Sequence, residues 1–312
     1  MSKIIANNTL EVRLDSYGNA TVRQASCDAV WNPDQSESIP GIIHTKEGAI
    51  NLKEAGRIDI RKLDAGFHIV YGDFVRNGQS VDGCLEATIL LEGHDVVFRI
   101  DRLDLPCDLI SVEYPYRAFA LKAGTPDGYL VLPFRGGCLV PTEDVLLDPV
   151  AFWFACDHSR GTLARGGVVP SVPVFGARDA RAGYVGVLET PTDVTLSYML
   201  NYDEILRFVG KGERSPFDRL TVAWPNWLCQ KGELGYARAV RYTFQENMDY
   251  VRMARHYREH ARKTGLLVTL RDKEKARPQL GLIEGAPYVA YYAGYPHVAP
   301  PHPLFPYKYS DL

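Results

Sequence analysis

Cys84-Leu85-Glu86-Ala87-Thr88-Ile89-Leu90-Leu91 and Val96-Val97-Phe98-Arg99-Ile100-Asp101 flank the tetrapeptide Glu92-Gly93-His94-Asp95. Two strand-type runs joined by a Gly-bearing turn read as a β-hairpin. His94 falls on the turn and is expected to be exposed and uninvolved in chemistry. The same grammar recurs on both sides. Thr9-Leu10-Glu11-Val12-Arg13-Leu14 and Ala20-Thr21-Val22-Arg23-Gln24 alternate around Tyr17-Gly18-Asn19, so the chain opens on another hairpin. Residues 32 to 56 are polar and irregular and read as a long connection. Strand-like runs return at 57–62 and 66–71, then at 128–132, 150–156, 183–189, 194–200, 219–224 and 236–244. Many short runs separated by Gly, Pro or Asp, without helical periodicity, predict an antiparallel sandwich of two large sheets. No repeat at a solenoid or propeller period interrupts them.

The pattern changes at 247. Asn247 can cap a helix from about Met248 through Lys263 that stops at Gly265, which tolerates the left-handed φ of a helix end. Thr269 with Asp272 three residues on has the form of a capping box for a second, shorter helix, which Pro278 ends. An extended aromatic run follows, Tyr288-Val289-Ala290-Tyr291-Tyr292, and residues 293 to 312 are rich in Pro and Tyr. This divides the chain into a β-domain at 1–245, a helical linker region at 246–287 and an aromatic, Pro-rich tail at 288–312.

The 312 residues carry 35 basic and 38 acidic side chains, a formal net charge of −3. No long-range field draws nucleic acid or an anionic membrane, and neither partner is expected. No run approaches the roughly 20 apolar residues of a membrane span. Met1-Ser2-Lys3-Ile4-Ile5-Ala6 lacks the apolar centre of a signal peptide, so a cytoplasmic protein is expected. The six cysteines, at 27, 84, 107, 138, 156 and 229, form no C-x-x-C pair and are expected to be free thiols.

Few motifs carry chemistry. His256-Tyr257-Arg258-Glu259-His260 is an H-x-x-E-H string that could hold zinc on a helix face. Yet Tyr250, Met253, Ala254, Tyr257 and Ala261 form the apolar stripe at helical spacing. His256 then lies about 120° from its centre, amid Arg252, Arg255 and Glu259. A solvated face is expected, with no metal and no cofactor. Gly210-Lys211-Gly212 lacks the remaining glycines of a nucleotide loop, and no G-x-S-x-G elbow occurs. Glu113, Asp144, Glu189 and Asp203 are candidate acids, but linear spacing does not say which converge. Trp224-Pro225-Asn226-Trp227 and the group Tyr288, Tyr291, Tyr292 and Tyr295 could offer flat faces to sugar rings. Burial in a core or interface is the alternative for each, since large aromatics are mostly buried.

Three separated stretches resemble one family. The first is Ser111-Val112-Glu113-Tyr114-Pro115 followed by Gly128-Tyr129-Leu130-Val131-Leu132-Pro133. The second is Val172-Pro173-Val174-Phe175-Gly176 followed by Gly183-Tyr184-Val185-Gly186-Val187-Leu188-Glu189-Thr190-Pro191. The third runs from Tyr250 to Gly265, then Leu270-Arg271-Asp272-Lys273 and Gly285-Ala286-Pro287. Together they resemble the N-terminal region of bacterial glycoside hydrolases related to family 101, the endo-α-N-acetylgalactosaminidase-like enzymes. The resemblance implies a β-supersandwich, similar in topology to galactose mutarotase, preceding a catalytic (β/α)8 barrel.

On that resemblance the run at 287 to 292 is the first barrel strand, and the family's catalytic positions fall beyond Leu312. Eight strand–helix units need roughly 250 residues. No catalytic residue is therefore carried over. The expectation is a mainly β, antiparallel supersandwich with a short C-terminal helical segment. It would be a non-catalytic module supporting a carbohydrate-cleaving barrel, with carbohydrate as the ligand. Trp224, Trp227 and Tyr292 are the candidate sugar contacts. A stand-alone carbohydrate-binding module and an aldose mutarotase are the rivals. A polar face holding a His and a Glu within reach of one sugar would favour the mutarotase.

Overall fold

The computed structural model describes residues 3–32, 38–133, 137–142, 165–168, 170, 172–199 and 220–283. By internal contacts the chain forms two compact units, residues 1–259 and 260–312. The first unit is built from three antiparallel sheets, with described strands numbered along the chain. A four-stranded sheet runs β1 (Lys3–Ala6), β2 (Leu10–Leu14), β3 (Ala20–Gln24) and β4 (Val30–Trp31) in sequence order. The nine-stranded sheet begins at one edge with β14 (Cys138–Pro141), β13 (Tyr129–Leu132), β16 (Val174–Arg178) and β17 (Ala182–Leu188). It continues through β20 (Arg238–Glu246), β10 (Asp95–Asp104), β9 (Gln79–Glu92), β8 (Gly66–Arg76) and β7 (Arg57–Leu63). The seven-stranded sheet orders β15 (Arg165–Val168), β18 (Val194–Met199), β19 (Leu220–Leu228), β11 (Leu109–Glu113), β5 (Ile42–Thr45) and β6 (Gly48–Asn51). Its seventh strand, β12 (Leu121–Lys122), pairs with β19 off that path. This is the antiparallel β-supersandwich expected.

The hairpin of β9 and β10 lies inside the nine-stranded sheet, between β20 and β8. Glu92 pairs with Asp95, and Gly93 takes the first loop position at φ +60, which an L-residue adopts only at a cost. His94 is exposed on that turn. Register then aligns Leu91 with Val96, Ile89 with Phe98 and Ala87 with Ile100, so both strands bury one set of side chains together. These meet Ile43, Val112, Leu196 and Trp227 from the seven-stranded sheet and Leu10, Val12, Val22 and Trp31 from the four-stranded one, in one core. Phe119 is packed edge-on against Tyr242 and Phe244, with centroids 5.0 and 5.1 Å away. Trp31 meets Tyr184 at 5.2 Å, edge to face. Aromatic contact thereby ties the small sheet to the large one.

The stretch 32–56 is more regular than its composition suggests. Beyond residues 33–37 it forms the β5–β6 hairpin and a 3₁₀ turn at Leu52–Glu54 capped by Asn51. The strands are four residues each and turn through Lys46 and Glu47, too short for polar alternation to stand out. The candidate strand at 150–156 lies outside the described residues.

Helix α1 spans Tyr250–Lys263 and α2 spans Leu270–Ala276. Asn247 does not cap α1. Its φ is +51, a left-handed residue that turns the chain out of β20, and Asp249 caps instead, accepting from Arg252 N at 2.8 Å. Gly265, at φ +74, closes the helix as expected. The Thr269–Asp272 capping box is complete, and Pro278 opens a 3₁₀ turn after α2. The face of α1 within the first unit is rotated from the expected stripe: Met253 and Tyr257 pack on Val131, Val174, Val185 and Val187, while Tyr250 and Ala254 are exposed. Valines on the outward face of the sheet select that side.

Candidate functional site

Strand alternation assigns the two faces of the seven-stranded sheet. Ile43, Val112, Trp227 and Leu196 point into the core, so Ile42, His44, Ser111, Glu113, Asn226, Trp224, Ser197 and Met199 share the opposite face. Glu113 is the centre of that face. It ends β11, pairs with Ile42 on one side and Asn226 on the other, and is buried. Ser197, one strand beyond Asn226, donates to Glu113 Oε1 at 2.8 Å. His44 Nε2 lies 3.4 Å from Oε2, with its side chain 37% exposed, and it links the buried carboxylate to solvent. A buried carboxylate without partners would be costly; here one hydroxyl and one imidazole satisfy it. Asn226 Oδ1 and Trp224 Nε1, both buried atoms, have no hydrogen-bond partner among the described residues.

The arrangement joins a carboxylate and an imidazole in one hydrogen-bonded group, with an unpaired acceptor and an unpaired donor alongside. Such a group can bind hydroxyls and hold a proton. Trp224 forms the apolar side: its ring lies 5.3 Å from Tyr116, and the Arg117 guanidinium stands 4.7 Å from the Tyr116 ring and 5.7 Å from Trp224.

Of the aromatics singled out in the sequence, Trp227 is 1% exposed in the core, and its Nε1 donates to Tyr114 O at 2.8 Å. Trp224 is 5% exposed on the other face of the same strand. Three residues apart on one strand, the two rings cannot form a single platform. Tyr292 lies outside the described residues, as do Asp144, Asp203, Gly210-Lys211-Gly212 and Cys156. Of the candidate acids, Glu113 and Glu189 are described, and they belong to separate networks. Glu189 Oε1 accepts from Arg241 Nε at 2.6 Å, and the same guanidinium binds Glu92 at 2.7 Å and Asp95 at 2.9 Å. Three carboxylates around one arginine make a structural knot: with burial partly opposing, they raise the arginine's affinity for its proton.

His256 belongs to the same layer, which corrects its expected place on a solvated face. Its Nε2 lies 3.1 Å from Thr243 Oγ1, and Thr243 also bonds Asp95 Oδ1 at 2.7 Å. Rotation of the helix brings the histidine over the sheet. Among the described residues no group of three metal-ligating side chains is found. Cys27, Cys84, Cys107, Cys138 and Cys229 are free thiols. No helix among the described residues is long and apolar enough to cross a membrane.

Sequence reasoning placed Glu113 among several acids but missed His44, Ser197 and Asn226. The alternation of β18 and β19 was the available signal for two of them. His44 had none, because its four-residue strand is too short for alternation to show.

No family model and no curated protein matches the chain. Solved structures do. The α-N-acetylgalactosaminidase NagBb from Bifidobacterium bifidum, in complex with GalNAc, is similar at a TM-score of 0.68 with 16% identity, over 89% of this chain and 41% of that one. Its ligand-free form gives 0.64 and 17% over the same shares. The chain thus spans about two fifths of the length of the glycosidase it matches. A candidate aldose 1-epimerase from Escherichia coli also aligns, at 9% identity over 79% of this chain and 99% of that one; its TM-score of 0.44 carries no argument.

Proposed function

We propose that this chain is the β-supersandwich module of a glycoside hydrolase related to family 101 and acting on α-linked N-acetylgalactosamine. The module works beside a catalytic (β/α)8 barrel and forms one wall of the sugar cleft. The observation that carries this reading is the likeness over 89% of the chain to 41% of an α-N-acetylgalactosaminidase. At 16% identity that likeness speaks for the fold, and the resemblance of the separated sequence stretches from 111 to 287 supports the family reading. In this reading the supersandwich occupies 1–245, the helical linker 246–287 and the start of the barrel 288–312. The protein is cytoplasmic. Trp224 is the aromatic of the face that carries Glu113, and Trp227 stiffens the strand behind it.

The test is hydrolysis of 4-nitrophenyl α-N-acetylgalactosaminide. The 312-residue chain alone leaves it intact, and a polypeptide that includes the barrel cleaves it. Turnover by the chain alone that disappears in Glu113→Gln would overturn the reading.

A second reading, an aldose mutarotase, is favoured by one observation: His44 and Glu113 share a sheet face at 3.4 Å. Ring opening needs a base and an acid that flank one sugar, whereas these two groups bond each other. Polarimetry of freshly dissolved α-D-galactose decides it. A rate above buffer, lost in both His44→Ala and Glu113→Gln, would establish the mutarotase.

A further inference from the structure

At the β14 edge of the nine-stranded sheet, an open depression of about 530 Å³ is lined by Asp127, Gly128, Tyr129, Leu139, Pro141 and Arg178. Register explains why these residues meet. Tyr129 is paired with Pro141 on one side and Arg178 on the other, so three side chains stand in a row across β14, β13 and β16. Leu139, two residues before Pro141, extends the row along the same face and is 46% exposed. The row presents an apolar strip with an arginine at one end.

Each polar group there has unused capacity. The Arg178 guanidinium stands 5.9 Å from the Tyr129 ring centroid, and its Nε donates to Asp179 O at 3.2 Å. Its terminal nitrogens have no partner among the described residues. A guanidinium held over a ring offers its remaining N–H groups as a fork that matches a carboxylate. Tyr129 Oη accepts from Tyr250 N at 3.1 Å, which leaves its own proton to donate outward. Asp127 sits on the rim and can accept from hydroxyls. The volume falls within the range of small-molecule sites.

We propose that this depression binds an acidic monosaccharide unit, a hexuronate or a nonulosonate. The carboxylate lies on the terminal nitrogens of Arg178, the C–H face of the ring covers Tyr129, Leu139 and Pro141, and hydroxyls reach Asp127 and Tyr129 Oη. A neutral sugar would leave the arginine fork unfilled, and a bare anion would leave the apolar strip uncovered. The site goes beyond the glycosidase reading and does not need it: it lies on this chain's own strands, away from Glu113.

Ligand-observed NMR titration of the 312-residue chain tests it, with methyl β-D-glucuronide, methyl β-D-glucoside and sodium acetate as probes. The glucuronide is expected to bind saturably and more tightly than either control. Arg178→Gln weakens it about tenfold, the scale of a lost charged hydrogen bond. Leu139→Asp, at an exposed position, also weakens glucuronide by placing a negative charge beside the carboxylate. Thermal melts of both variants check the fold, and Leu139→Asp decides the matter if Arg178→Gln fails to fold. Absence of saturable glucuronide binding, equal binding of glucoside or acetate, or wild-type affinity in Leu139→Asp would each overturn the proposal. None of these results bears on whether the chain serves an N-acetylgalactosaminidase.

Discussion

Glu113 shows how one side chain decides what a sheet face can do. Its carboxylate is buried yet bonded by Ser197 and near His44, so its contribution depends on keeping those partners. Glu113→Gln retains an acceptor for Ser197 and should change stability little. Glu113→Ala leaves the buried hydroxyl unpaired and should lower stability by about 1–3 kcal/mol in a urea melt. Cys229 makes the opposite case, a group silenced by its surroundings. Burial pushes its thiol up to about 11, against a small opposing pull from Arg238. At pH 8 the thiolate is scarce, so alkylation of Cys229 in the folded chain should be slower than in the unfolded chain by on the order of a hundredfold. Equal rates would show that the site opens.

The same burial has a sign in pH. Tyr71, Tyr114, Tyr184 and Tyr242 are raised by desolvation as Cys229 is. A group whose pKa is raised on folding lends its stability fully below the unfolded value and loses it as pH rises toward the folded one. Stability should therefore decline from about pH 9, where an unfolded thiol ionises, and more steeply from about pH 10, where unfolded tyrosines do. A melting midpoint unchanged between pH 8 and pH 10.5 would contradict this.

Single elements carry their own expectations. Asp249→Ala removes the acceptor at the start of α1 and should cost about 1 kcal/mol, whereas Asn247→Gly, at a left-handed φ, should cost nothing measurable. If Asn247 were the cap, the ranking would reverse. The β9–β10 hairpin, the Thr269–Asp272 box and the Gly265 stop were readable because each is local: a few residues carry both the signal and the structure. Asn247 looked like a cap for the same local reason, but β20 ends there and the chain must turn first. His44 and the β5–β6 hairpin were hidden, since four-residue strands give too few alternations to outweigh polar composition. The Glu113–Ser197–His44 group joins residues 44, 113 and 197, a convergence that only sheet order creates. His256 was misplaced because an apolar count along the helix does not know which side its sheet lies on.

At the scale of the molecule, the supersandwich buries one core across three sheets. It should thus fold without any barrel. Deleting 288–312 is expected to leave the thermal midpoint within a few degrees, about 1 kcal/mol or less. Loss of the fold on truncation would make the tail part of the domain. The arginine knot at Arg241 should matter more: Arg241→Met leaves Glu92, Asp95 and Glu189 facing one another and should cost about 2–4 kcal/mol. The proposed service to a carbohydrate-cleaving barrel requires a native polypeptide long enough to hold both. An antibody raised against the 312-residue chain, used on lysate of the source cells, should detect a polypeptide at least about twice as long as the chain, as its 41% share of the matched glycosidase suggests. A single band at the mass of the 312-residue chain itself would contradict the proposed function.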